Sequence, residues 1–86
     1  MGSNVDALYS LMDEGAQALV FNVKDDPRLV RIPLKDLQTK SRVLVAGILR
    51  GRETIIPSGA DVILPGDKVV VITANRRLND LSDILK

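Results

Sequence analysis

The sequence predicts an α+β domain. It would have a small, mainly antiparallel sheet, a one-turn helix in the middle and an amphipathic C-terminal helix. Three observations predict this. The apolar content comes in short runs of Val, Ile, Leu and Ala, with Tyr9 and Phe21 the only aromatics, and β-branched residues favour strands. Turn signals at Gly51, Ser58-Gly59 and Pro65-Gly66 separate the later runs. Only the last stretch, Leu78, Leu81, Ile84 and Leu85, has unopposed helical spacing.

The elements follow in order. Asn4–Val23 has two apolar arms around the polar turn Asp13-Glu14-Gly15. The first arm fits helical spacing through Val5, Leu8, Tyr9 and Met12, and strand spacing through Val5, Ala7, Tyr9 and Leu11. The second arm alternates as a strand, with Leu19, Phe21 and Val23 on the better core face. Tyr9 and Phe21 are both expected in the core. Asp25-Asp26-Pro27 breaks the strand, because the residue before proline avoids helical backbone. Pro33 suits the first position of a short helix, Leu34 to Gln38, with Leu34 and Leu37 inward.

Val43 to Leu49 is nearly all apolar, so both of its faces are expected to be covered. Gly51 turns the chain, Thr54-Ile55-Ile56 returns it, and Pro57 stops it. Pro65-Gly66 fits a type II turn with glycine at the positive-φ position. Lys68 to Ala74 is a second buried strand. Asn75 is the expected cap of the final helix.

The chain has 86 residues, suited to one domain. A domain this small buries only about 60% of its unfolded surface, so a partner face would help it. There is no cysteine and no histidine. That removes disulfides, thiolate metal sites and the usual general base. The net charge of +1 gives no field to draw the chain to nucleic acid. No apolar run reaches the ~20 residues of a membrane helix, and no signal peptide is expected. A cytoplasmic domain without direct membrane insertion is the expectation. Residues 1–3 read as an expression scar and 4–86 as a single domain, a fragment of a larger protein.

Ile32 to Leu37 gives an apolar-Pro-Leu-x-x-Leu element, and Val43 to Arg50 an apolar strand ending Ile-x-Arg. Gly51, Ile55-Ile56-Pro57, Gly66-Asp67, Val69 to Ile72 and Leu78 to Leu85 follow in order. The set resembles the C-terminal subdomain of RCK modules, the TrkA-C domain, over roughly Ala16 to Leu85. Asn4–Val23 further resembles the approach to the last such domain of TrkA-type potassium-uptake proteins, which favours an extended first arm.

The resemblance implies a ligand-sensing, dimerising regulatory domain of a potassium transport system. It would transmit ligand binding to a membrane channel or transporter. The implied partners are a second copy of the chain, a preceding Rossmann (RCK_N) domain and a membrane potassium transporter subunit. The same module resembles parts of cation antiporters, chloride channels and transcription regulators. A purely structural assembly domain without a ligand is the alternative from a different class. No G-x-G-x-x-G occurs, so no dinucleotide cofactor is expected within this fragment. Cyclic di-AMP, which some members bind at the dimer cleft, or another nucleotide, is the ligand implied.

The candidate ligand residues are Leu29, Val30, Ile55, Ile56 and Pro57 as an apolar floor, and Arg31, Lys35, Lys40 and Arg42 as phosphate partners. Ser41 belongs with them, since Lys40-Ser41 stands where cyclic-di-AMP binders commonly have His-Asn. The basic run also includes Arg28. Asp25, Asp26 and Asp36 are its expected counter-ions if it is only a solvated face. Arg76 and Arg77 oppose the dipole of the expected last helix, with Asp80 as local relief. Asp67 reads as turn chemistry rather than a metal ligand. Neither Asp13-Glu14 nor Asp25-Asp26 has the alternating oxygens of a calcium loop. No serine has an adjacent base, so the chain is not expected to be an enzyme.

Overall fold

The computed structural model describes residues 5–10, 15–74 and 77–86. Its strands are β1 (Val5–Ser10), β2 (Ala16–Asn22), β3 (Val43–Arg50), β4 (Glu53–Ile55) and β5 (Lys68–Ala74). They form one sheet in the order β1-β2-β5-β3-β4. Every neighbouring pair is antiparallel, as the turn-rich pattern predicts.

The ambiguous first arm is a strand. Leu8 lies opposite Leu19 and Tyr9 opposite Ala18. Asp13, Glu14 and the expected cap Asn75 lie outside the described residues. Gly15 has φ 88. Gly51 and Arg52 form a two-residue loop between the paired Arg50 and Glu53. Gly51 takes φ 60, which the mirror-image hairpin turns require. At Leu64–Asp67 the Asp67 amide donates to the Leu64 carbonyl, and Gly66 takes φ 88. That is the expected type II turn.

The period-2 alternation of the strands decides the core. Leu19 and Phe21 of β2, Val69 and Val71 of β5, and Ile48 of β3 are buried on one face. A second layer of irregular chain covers that face. It contributes Leu29, Val30 and Ile63 from the connections and Leu78, Leu81 and Ile84 from the tail. Ala46 is an extra residue in β3, where the register shifts between Val45 and Gly47. Such a bulge re-aims the strand beyond it.

The opposite face is open. Leu44, whose strand was expected to be covered on both sides, is 59% exposed. Tyr9, expected in the core, is also 59% exposed, because its register places it opposite Ala18 on the uncovered face.

The expected C-terminal amphipathic helix does not form over the described residues 77–86. Only a 3₁₀ turn, Leu81–Ile84, is present, so the α part of the expected α+β class reduces to two such turns, the other at Leu34–Asp36. Leu78, Leu81 and Ile84 recur every third residue, which fits three residues per turn as well as 3.6. They are buried as expected. Asp80 is the cap of this turn. Its side chain accepts from the Ser82 amide, and the Asp83 side chain reaches back in a capping box. The backbone then leaves helical geometry at Leu85 (φ -78, ψ 144). The tail pairs instead with the middle of the chain. Lys40 N donates to Ile84 O (2.7 Å), and Lys86 N to Gln38 O (2.9 Å).

Candidate functional site

The expected one-turn helix over Leu34–Gln38 is the 3₁₀ turn Leu34–Asp36. Pro33 stands just before it as the cap, and its carbonyl accepts from Asp36 N at 2.8 Å. The loop after β4 is stitched to this turn. Leu34 N donates to Asp61 O and Lys35 N to Gly59 O, both at 2.9 Å. Asp61 closes the loop on itself by accepting from Ser58 N at 2.7 Å. Gly59 eases the close approach: a Cβ there would lie 3.0 Å from the Lys35 Cβ.

Between the turn, the loop and β3 lies an open recess of about 260 Å³. Leu34, Leu37, Val43 and Val45 supply apolar walls, and Lys35, Pro57 and Ser58 line the rim. A second shallow recess of about 280 Å³ adjoins it, lined by Arg42 with Ile72 and Ala74. Val43 and Leu44 line both. Lys35 thus lines the first recess and Arg42 the second. Neither Lys35 nor Arg42 is in an ion pair among the described residues. Arg42 also sits in the left-handed region, φ 62, which glycine or asparagine would occupy at less cost.

The other sequence candidates fall elsewhere. Leu29 and Val30 are fully in the core, so their apolar surface is taken up by the domain itself. Ile55 packs against that core. Ile56 is 81% exposed, just before Pro57. Arg31 pairs with Asp25 at 3.0 Å, and Arg28 with Asp26 at 2.7 Å. The Arg28 hydrogen bonds hold the Asp26 carboxyl below its ordinary range. Asp25 and Asp26 thus serve as the expected counter-ions, while Asp36 makes no ion pair among the described residues. Lys40 is half-buried and Ser41 exposed. Asp80 accepts from Ser82 and makes no ion pair with Arg77 among the described residues. Arg76 lies outside the described residues.

The sequence reading missed the strongest polar contact. Arg50 Nε donates to Asp67 Oδ1 at 2.9 Å and Nη2 to Oδ2 at 2.8 Å. Arg50 Nη2 also reaches Val62 O, and Leu64 N donates to Asp67 Oδ2. Asp67 is 2% exposed. Burial on its own would raise its pKa; the hydrogen bonds from Arg50 and Leu64 outweigh this and hold it below the ordinary value. The pair ties the β3–β4 hairpin to the turn that starts β5. Both residues stand in the ordered motif set, as the ends of Ile-x-Arg and Gly-Asp, and that was the available signal.

A family model, the TrkA-C domain, matches residues 19–86. The chain is 27% identical to the Trk system potassium uptake protein TrkA homolog 1 of Methanosarcina mazei, over 86 residues, 100% of this chain. It is 32% identical to TrkA homolog 2 of the same organism, over 84 residues, 95% of this chain. In both cases it spans 19% of the relative's length. No helix among the described residues is long and apolar enough to cross a membrane.

Proposed function

The chain belongs to the TrkA-C domain family, and on that footing we propose that it is a ligand-sensing regulatory domain of a potassium transport system. The names of both relatives support the potassium-transport setting. The observation that carries ligand sensing is a pair of adjoining apolar recesses, one lined by Lys35 and the other by Arg42. Few, placed polar groups around an apolar floor suit a ring system that carries an anion. An arginine fork and a lysine point charge both suit phosphate.

The ligand class is a nucleotide such as cyclic di-AMP, held where two copies of the domain meet along the β4 side near Ile56. Binding shifts the population between two relative orientations of the copies, and an attached membrane transporter reads the change. The domain works in the cytoplasm and carries out no chemistry of its own.

Titration calorimetry with cyclic di-AMP, ATP and calcium tests this. Heat with a nucleotide that is lost on replacing Lys35 and Arg42 together is the expected result. Silence with all three, and no thermal shift, would leave a structural assembly domain as the better reading.

A further inference from the structure

One wall of the first recess stands outside every strand of the sheet. Leu37 and Thr39 line that recess, on the stretch between the Leu34–Asp36 turn and the start of β3. The residues that alternate with them are tied to the tail. The Lys40 amide donates to the Ile84 carbonyl at 2.7 Å, and the Gln38 carbonyl accepts from the Lys86 amide at 2.9 Å. Thr39 is bridged antiparallel to Leu85 between these two bonds. The same stretch joins the two recess cations. Lys35 precedes it in the turn, and Arg42 follows it, with its carbonyl accepting from Ala74 N of β5.

The tail is a firm support for this wall. Leu81 and Ile84 are fully buried, so the turn that carries them cannot lift away without opening the core. Asp80 and Asp83 close a capping box around the start of that turn, and the Leu85 amide donates to the Ser82 carbonyl at its end. The Ile84 carbonyl that receives Lys40 therefore sits on an anchored element. Beyond it, Leu85 and Lys86 complete the pairing.

We propose that the tail is a positioning element for the ligand recess. Its pairing with Gln38–Lys40 sets where Leu37 and Thr39 stand and how Lys35 is placed relative to Arg42, so tail pairing and ligand binding are linked. The proposal rests on the reading of the recess as a ligand site. A ligand that had to order an extended wall for itself would lose that conformational entropy from its affinity. The tail orders the wall beforehand. The linkage is reciprocal, as coupling between two binding events must be. A ligand resting on Leu37 and Thr39 holds the tail bonds closed, and occupancy of the recess is felt at Leu85 and Lys86.

Lys86→Pro isolates the pairing. Proline has no amide to give to Gln38, and Leu85 already has the extended backbone (φ -78, ψ 144) that a residue before proline prefers. Lys86→Ala keeps the amide and removes only the charge. Titration calorimetry with cyclic di-AMP and with ATP reads both variants against the unaltered chain. For the nucleotide that gives heat, the proline variant should bind about two- to tenfold more weakly, the range that one hydrogen bond supplies. The alanine variant should bind as the unaltered chain does. Amide hydrogen exchange on the unaltered chain is the second measurement. Exchange at Lys40 and Lys86 should slow when the nucleotide saturates the chain, a response that a merely structural tail would not give. Equal affinity in all three chains with exchange unmoved would overturn the proposal and leave the ligand site standing. Equal weakening in both variants would overturn it by assigning the effect to the lysine charge. No heat from the unaltered chain with either nucleotide would remove the ligand reading and this proposal together.

Discussion

Arg50 grips Asp67 with two parallel hydrogen bonds, at 2.9 and 2.8 Å, across 17 residues of chain. Removing Asp67 leaves the Leu64 amide without its acceptor and Arg50 with only the Val62 carbonyl. Breaking a fully buried pair costs about 3–5 kcal/mol. Arg50 is one-third exposed, so water recovers part of this, and about 2–3 kcal/mol is expected for Asp67→Ala. Urea titration measures it as a lower midpoint. Arg50→Lys should also destabilise, since a lysine cannot make both bonds.

Acid should loosen the fold in a definite window. The folded-state pKa of Asp67 is depressed by Arg50 and Leu64 despite its burial. That of Asp83 is depressed by the Asn79 and Asp80 amides. A depressed carboxyl stabilises above its unfolded value, near 4, and the contribution goes as pH falls through the folded value. Stability by urea titration should therefore be flat from pH 7 to about 5 and fall below that. Asp67→Asn should fall less steeply; an unchanged slope would mean that Asp67 is not among the groups responsible.

Arg42→Gly should separate stability from binding. Glycine occupies φ 62 without the cost of about 1–2 kcal/mol that other residues meet in the left-handed region. The melting temperature should hold or rise, while nucleotide affinity drops about tenfold, or ~1.4 kcal/mol, from the loss of a charged hydrogen bond. A fall in melting temperature together with unchanged affinity would assign Arg42 a structural role.

Gly59→Ala should disturb the recess from its rim. The added Cβ would meet the Lys35 Cβ at 3.0 Å, so the loop must back away by a few tenths of an ångström. A loss of about 1 kcal/mol is typical of such overpacking, or roughly 4–8 °C in a domain this size. Gly66→Ala, at φ 88 with open space around it, should cost a similar amount by strain alone and leave affinity untouched. Calorimetry on both variants distinguishes the two effects.

Much of this fold is legible in the chain because period-2 alternation and turn chemistry are local. Phe21, Val69 and Val71 announce their face through their neighbours, and Pro65-Gly66 announces its turn. The tail misleads because a three-residue recurrence serves two helix types, and the decision falls to the pairing of Thr39 with Leu85. Leu29 and Val30 read as a surface patch because their cover, Ile63 and the tail, is distant in sequence. The recess was legible only at Lys35, Arg42 and Pro57. Its walls at Val43 and Val45 look like ordinary strand residues until the loop at Gly59 folds over them.

The strand made last of the five, β5, lies in the middle of the sheet. Until residues 68–74 leave the ribosome, the β1–β2 and β3–β4 hairpins have nothing to pair with, and Phe21 and Ile48 stay bare. Sheet closure must then be a late, single event dominated by distant contacts, a topology that folds slowly. Expression conditions that stall synthesis before Lys68 should leave a sticky half-product rather than a smaller working domain.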